Sequence, residues 1–319
     1  MTKQVFENVR DFDLDDIFDC GQCFRWNKQP DGSYSGVVEG SFANISFLPS
    51  ENGEAGGRVT IWSNRLAESP SLREKFWRNY LDLDRDYDAI KRLLSTEDAV
   101  MGRAIKTCGG IRILNQNKWE TLISFLISQN NNIPRIKACI ERLCVEQGRR
   151  IGRLRGKPIY AFPSVDRLSV LREEHLADCR LGYRAKYIVE TARRIAYDGG
   201  AFLSTGEQMP IEKIEEYLLS LSGVGPKVAN CVMLFSMKKS EVFPLDVWVR
   251  RVMNRLYGMG EENVSAMKDC AKRNFGSYGG IAQQYLFHYI RTVARDNPAL
   301  YERLRLEESD ETDGAAVPE

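Results

Sequence analysis

The spacing of apolar positions changes near residue 95. Upstream, short strand-like runs at 23–26, 34–38, 43–47 and 59–62 alternate with turn clusters at 30–33 and 51–57, the second holding Gly53, Gly56 and Gly57. Runs punctuated in this way predict an antiparallel sheet. Downstream, apolar residues recur at helical period over 99–107, 119–129, 134–146, 184–196, 211–219, 226–237, 247–257, 266–275 and 282–294. Most connections are short, and no internal repeat or long low-complexity linker interrupts them. The pattern predicts an α+β chain, with a β region leading into a mainly helical body.

Within that body, Leu221-Ser222-Gly223-Val224-Gly225-Pro226-Lys227 reads as a tight turn between two helices. Ile211, Ile214, Leu218 and Leu221 line the helix before it, and Val228, Val232 and Phe235 the helix after it. Two close glycines let the turn aim backbone N–H groups outward, and Pro226 opens a helix without wasting a donor. A phosphate is the natural guest of such a turn, at Gly223, Val224 and Gly225. The plainer reading is an ordinary turn between packed helices, and the pattern alone leaves that open.

The residues that follow add chemistry. Lys227 stands one residue into the second helix and Cys231 one turn further along the same face. The positive end of a helix dipole disfavours an ammonium, and the neutral amine that results is a nucleophile able to form Schiff bases. Lys227 also reads as a solvated lysine. Asp246, after Phe243-Pro244-Leu245 and before Val247-Trp248-Val249, reads as the cap of another helix and equally as a catalytic carboxylate.

Composition changes the picture modestly. With 319 residues and 43% hydrophobic content, the chain has room for two or three compact domains with real cores. No apolar run approaches the roughly 20 residues of a membrane helix, and the opening resembles neither a signal nor a transit peptide, so a cytoplasmic location with no membrane partner is expected, nucleoid-associated if the source is bacterial. The formal charge is +1, but residues 307–319 hold six acids and no base, which leaves the rest mildly basic. That end reads as a solvated, disordered tail. Eight scattered cysteines imply no disulfide framework. Cys20 and Cys23 form a Cys-x-x-Cys, but the chain has only two histidines and no second pair nearby, so no metal site is expected.

Taken together, the turn with its lysine, cysteine and aspartate resembles the helix-hairpin-helix DNA glycosylase superfamily. More narrowly it resembles the 8-oxoguanine DNA glycosylase/AP lyase family. Four further stretches carry that likeness in the family's order: Gly21-Gln22-Cys23-Phe24-Arg25-Trp26, Asn130-Asn131-Asn132-Ile133-Pro134-Arg135, Gly182-Tyr183-Arg184-Ala185 and Ala282-Gln283-Gln284-Tyr285-Leu286-Phe287. Only Cys270 follows Cys231, which argues against the branches that carry an iron-sulfur cluster on four cysteines. The resemblance implies an N-terminal antiparallel β domain (1–97), TATA-binding-protein-like, packed on a helical glycosylase domain (98–306), with the acidic tail (307–319) beyond. It implies no cofactor, a monomer, and double-stranded DNA carrying an oxidised purine as partner.

The chemistry then has defined needs. A damaged base must leave the stack for a pocket with an aromatic face and polar readers. Gln283 and Phe287, four apart on one helix face, suit an amide for a base edge and a ring for a base plane; the plainer reading is a core phenylalanine beside a half-buried glutamine. By resemblance Phe287 stacks on 8-oxoguanine, Cys231 closes the opposite side, and Gln283 addresses the Watson-Crick edge. The same resemblance implies that the Gly21 carbonyl distinguishes the N7–H of the lesion from the N7 acceptor of guanine, though a loop glycine also reads as a plain turn residue. It implies too that Asn130, Arg135 and Arg184 address the estranged cytosine and that Tyr183 is the wedge, where the plainer reading is a polar helix-entry loop with arginines on phosphates. Two departures stand out: Trp248 occupies a position where eukaryotic members place histidine, which puts the phosphate contact there in doubt, and Cys23 replaces a small hydroxyl residue.

The implied reaction is displacement of the base by the Lys227 amine with Asp246 stabilising the sugar cation, followed by β-elimination. A monofunctional alkylated-base glycosylase would need Asp246 without the amine. A non-catalytic DNA-binding module would need neither.

Overall fold

Helix starts are written into the sequence as caps. The side chains of Asp13, Ser69, Asp86, Asp98, Asn117, Asn132, Ser164, Asp246 and Asn263 each accept a backbone N–H of the helix that follows. In the computed structural model the described residues are 1–50, 56–154, 156–260, 263–299 and 301–302. The acidic stretch 307–319 and residues 51–55 of the second turn cluster lie outside them.

In chain order the elements are β1 (Thr2–Val9), α1 (Leu14–Phe18), β2 (Trp26–Lys28), β3 (Tyr34–Val38), β4 (Ser41–Pro49), β5 (Gly57–Ser63), α2 (Pro70–Tyr80), α3 (Tyr87–Ser95), α4 (Ala99–Thr107), α5 (Lys118–Ser128), α6 (Ile133–Gln147), β6 (Arg150–Leu154), β7 (Lys157–Tyr160), α7 (Val165–Ser169), α8 (Arg184–Tyr197), α9 (Ala201–Thr205), α10 (Ile211–Leu219), α11 (Pro226–Ser236), α12 (Val247–Tyr257), α13 (Val264–Phe275) and α14 (Gly279–Asp296). The α+β pattern is therefore observed. Two compact units divide the chain, one built from Met1–Arg85 and Arg112–Lys239, the other from Asp86–Ile111 and Ser240–Glu319.

The first unit holds a five-stranded antiparallel sheet in the order β1-β5-β4-β3-β2. β5 alternates buried and open positions, so Val59 and Ile61 enter the core while Arg58 and Trp62 face out. Ile17, Phe18, Trp26, Ile45, Trp77 and Leu81 fill that core. Trp26 keeps its indole N–H satisfied on the Tyr80 hydroxyl at 2.8 Å. Buried Arg112 closes the sheet region by donating to the carbonyls of Arg10 (2.8 Å), Asp11 (3.0 Å) and Asp82 (2.6 Å). The helical part of this unit packs α5 against α6, α8 and α11, and α10 against α11.

In the second unit α14 packs against α4, α12 and α13. Asp98 both caps α4 at Met101 N (2.8 Å) and accepts the Tyr257 hydroxyl at 2.7 Å, tying α4 to α12.

Several elements differ from the sequence expectation. Residues 23–26 form no strand until Trp26; Cys23, Phe24 and Arg25 are all buried in a loop that Gln22 anchors, so period-2 exposure never develops. Strand β1, helices α1 to α3 and the β6–β7 hairpin were not anticipated. The hairpin residues are mostly open, which removes the apolar alternation that would announce a strand.

Candidate functional site

The turn expected between two helices is present: α10 ends at Leu219 and α11 begins at Pro226, with Gly225 in extended backbone before it. Gly223 has φ +74°, and a Cβ there would come within 2.4 Å of the Tyr187 ring, so conformation and space both require glycine. The turn is held from three sides. Gln129 Nε2 donates to Gly223 O (3.0 Å), Ser222 Oγ to Glu190 Oε2 (2.5 Å), and Thr191 Oγ1 to Ser222 O (3.3 Å). One part of the expectation needs correction. Val224 turns its side chain inward and spends its N–H on Leu221 O at 3.1 Å, closing the turn, so it offers no outward donor. An anion at this turn would meet Gly223, Gly225 and the first N–H groups of α11.

Lys227 lies in the first turn of α11, half-buried, with Nζ 4.9 Å from the centroid of the Phe125 ring. Phe125 is itself stacked on Phe235 (5.4 Å, 15°) and meets Phe24 edge-on (5.6 Å, 69°). The amine therefore rests on an aromatic floor. Cys231, one turn on, is 3% exposed.

In the second unit Asp246 caps α12, its Oδ1 accepting Val249 N at 2.8 Å. Phe243, Pro244 and Leu245, all buried, fix the approach to it, with Phe243 stacked on Phe275 at 6.0 Å. Trp248 follows in the same turn, its ring beside Tyr301 (6.5 Å) and the Arg251 guanidinium (5.2 Å). Gln283 and Phe287 share a face of α14 as their spacing predicts. Gln283 is 4% exposed, and its Oε1 is buried with no hydrogen bond among the described residues. A buried acceptor left open costs about 1–3 kcal/mol, and a ligand with a donor at that point would offset the cost. Phe287 is only half-buried, with Arg291 5.1 Å from its ring.

Gly21, in the first unit, has φ +79°, a conformation that glycine supplies without strain. Its neighbour Gln22 is among the most buried polar residues, at 1% exposure.

The residues expected to face an estranged base gather around the turn between α5 and α6 and the start of α8. Three consecutive asparagines divide the work there. Asn130 is exposed with φ +45°, Asn131 bonds Ile127 O (3.1 Å) and Asn132 N (3.0 Å), and Asn132 caps α6 at Arg135 N (3.0 Å). Arg135 is exposed and Tyr183 is 51% exposed, edge-on to Tyr187 at 5.7 Å. Arg184 departs from the expectation. It is 4% exposed and turned inward, donating to Gln129 O (2.9 Å from Nε), Asn130 O (3.1 Å) and Leu181 O (3.2 Å). In this conformation it shapes the Asn130 turn by satisfying those carbonyls instead of reaching a base. Gln129 joins the two regions, accepting from Arg184 and donating to Gly223. Sequence reasoning missed Gln129, Gln22 and Phe125; a polar residue inside an otherwise buried motif was the available signal for Gln22.

Comparison with known proteins agrees with this arrangement. Residues 4–122 match the model of the 8-oxoguanine DNA glycosylase N-terminal domain, and residues 123–274 match that of the HhH-GPD superfamily of base excision DNA repair proteins. A probable N-glycosylase/DNA lyase of Methanothermobacter thermautotrophicus is 30% identical over 93% of this chain and 97% of its own. An N-glycosylase/DNA lyase of Arabidopsis thaliana is 30% identical over 85% of this chain and 75% of its own. Among solved structures, the 8-oxoguanine glycosylase/lyase of Clostridium acetobutylicum, in complex with double-stranded DNA bearing cytosine opposite the lesion, aligns with TM-score 0.80 and 37% identity, covering 91% of this chain and 98% of that one. The chain belongs to the 8-oxoguanine DNA glycosylase/DNA lyase family.

Proposed function

We propose that this protein removes 8-oxoguanine from duplex DNA and then cleaves the strand at the abasic site it has made. Membership of the family supports the activity, and one local observation supports the chemistry: an amine on an aromatic floor in the first turn of the helix that follows the glycine hairpin.

The hairpin donors and the α11 N-terminus grip a backbone phosphate. Tyr183 props the stack where the lesion has left it, and Asn130 and Arg135 address the orphaned cytosine. Arg184 joins them on rotating outward. Gln283 donates and accepts on the Watson-Crick edge of the lesion, Phe287 stacks on its plane, and Cys231 bounds the other side. The Lys227 amine attacks C1' with its lone pair, forming the C–N bond as the glycosidic bond breaks and the base departs with that electron pair and a proton. The Asp246 carboxylate stabilises the positive charge that develops on the sugar, and its hydrogen bond to Val249 N holds it in place. Opening of the sugar ring gives a Schiff base, and loss of a 2' proton expels the 3' phosphate by β-elimination. The protein acts as a monomer.

Duplexes carrying 8-oxoguanine opposite each of the four bases test this reading. Free 8-oxoguanine and a nicked strand, made fastest opposite cytosine, are the expected products. Release of 3-methyladenine without release of 8-oxoguanine would favour the alkylation-repair reading, and no base release at all would leave only a binding module.

A further inference from the structure

The discrimination assigned to Gly21 depends on where one carbonyl points. A lesion N7–H and a guanine N7 lone pair differ only in the sign of their interaction with that oxygen, and hydrogen bonds weaken steeply with misalignment. Glycine in left-handed backbone is pliable, so the carbonyl has to be held from outside. The Gly21 carbonyl lies in the peptide plane that ends at Gln22 N, so whatever fixes Gln22 fixes that plane.

Gln22 is anchored at every polar atom of its side chain. Nε2 donates both protons, to Ile17 O (2.9 Å) and Arg112 O (2.8 Å), and Oε1 accepts from Leu114 N (2.9 Å). The Gln22 main-chain carbonyl is held too, by Gln116 Nε2 at 2.8 Å. Gln116 in turn donates its backbone N–H to Phe235 O at 2.9 Å, on α11, the helix that carries Lys227 and Cys231. Among the described residues the Gly21 carbonyl itself accepts no hydrogen bond. Two glutamines thus form a continuous link from the loop that reads the base to the helix that attacks the sugar.

We propose that Gln22 and Gln116 are positioning residues for lesion specificity, registering the Gly21 carbonyl to α11. The proposal rests on the reading of this protein as an 8-oxoguanine glycosylase. It predicts a split between two steps. Base release requires the carbonyl to be in register, whereas β-elimination at a preformed abasic site has no base to read.

Gln116 is only half-buried, so its variants leave the core untouched. Gln116→Met removes the donor to Gln22 O, and Gln116→Glu puts an acceptor against it. Single-turnover release of 8-oxoguanine is expected to fall about tenfold in Gln116→Met, the worth of one hydrogen bond, and further in Gln116→Glu. Cleavage of an abasic duplex is expected to stay within about twofold of wild type, roughly the scatter of unperturbed contacts. Gln22→Met, checked first by thermal melting for a folded protein, is expected to show the same split. Base release unchanged in both Gln116 variants, or both steps falling in parallel, overturns the proposal. A wild-type protein that releases no 8-oxoguanine fails on the underlying reading instead, so the two failures are distinguishable.

Discussion

At the scale of single residues, Asp246 does two things that substitution can separate. Asparagine caps a helix as well as aspartate but carries no charge. Asp246→Asn is therefore expected to keep the melting temperature within a few degrees and to lose about 100-fold or more in base release, as removal of one stabilising charge does elsewhere. Asp246→Ala should lose the activity and about 1 kcal/mol of stability as well. Chemical denaturation beside single-turnover kinetics checks both, and equal activity of the asparagine variant would reduce Asp246 to a cap. Gln283 offers the opposite case. Its buried Oε1 has no hydrogen-bond partner among the described residues, so Gln283→Met is expected to be neutral or slightly stabilising while affinity for an 8-oxoguanine duplex falls. Lys227, Asp246, Gln283 and Phe287 were legible as types at spacings, but Gly21 was not. A glycine in a loop says nothing by itself, and only the four hydrogen bonds converging on Gln22 show how firmly the loop is held.

Among the elements, those whose boundaries are chemical were the most legible. α4, α10 and α12 run over the residues expected of them, because Asp98, Pro210 and Asp246 open them and their apolar stripes are continuous. α2 carries an equally plain Ser69-Pro70 start, but charged residues break up its apolar face, and the β6–β7 hairpin has almost no buried residue to betray it. The hairpin before α11 is where an element becomes function. Gly223→Ala places a Cβ into the Tyr187 ring and forces φ +74° on a residue that resists it. Loss of about 1–3 kcal/mol of stability and a clear weakening of duplex binding are expected, readable by melting and by fluorescence anisotropy. A normal affinity would mean that the turn does not grip DNA. α5 carries a pH effect. Burial pushes the Glu120 carboxyl up to about 7, against the opposing pull of Arg25. The folded form then binds this proton more tightly than the unfolded chain, so its stability contribution is present below the free value of 4.5 and is lost as pH rises toward 7. Glu120→Gln is expected to raise the melting temperature at pH 8 and leave it unchanged at pH 4; a lower value at pH 8 would show the ionised carboxylate to be stabilising.

For the whole molecule, charge is the property that sequence gives directly and structure refines. Six acids in 307–319 offset a mildly basic remainder, so the formal charge of +1 understates attraction to DNA. Truncation before Glu307 is expected to tighten non-specific duplex binding at low salt, with the difference vanishing as salt rises. The architecture was partly readable. A β region and a helical body followed from periodicity, but the second unit gathers Asp86–Ile111 with chain from beyond Ser240, a return that no local pattern reveals.

The central claim is that the amine of Lys227 becomes covalently joined to the sugar of the excised nucleotide. Borohydride reduction during turnover on a duplex with 8-oxoguanine opposite cytosine, in wild type and Lys227→Gln, tests it most directly. A trapped protein–DNA adduct in the wild type that maps to the peptide containing residue 227, and that is absent from the variant, is the predicted result. An adduct that persists in Lys227→Gln, or base release with no adduct in either protein, contradicts the account.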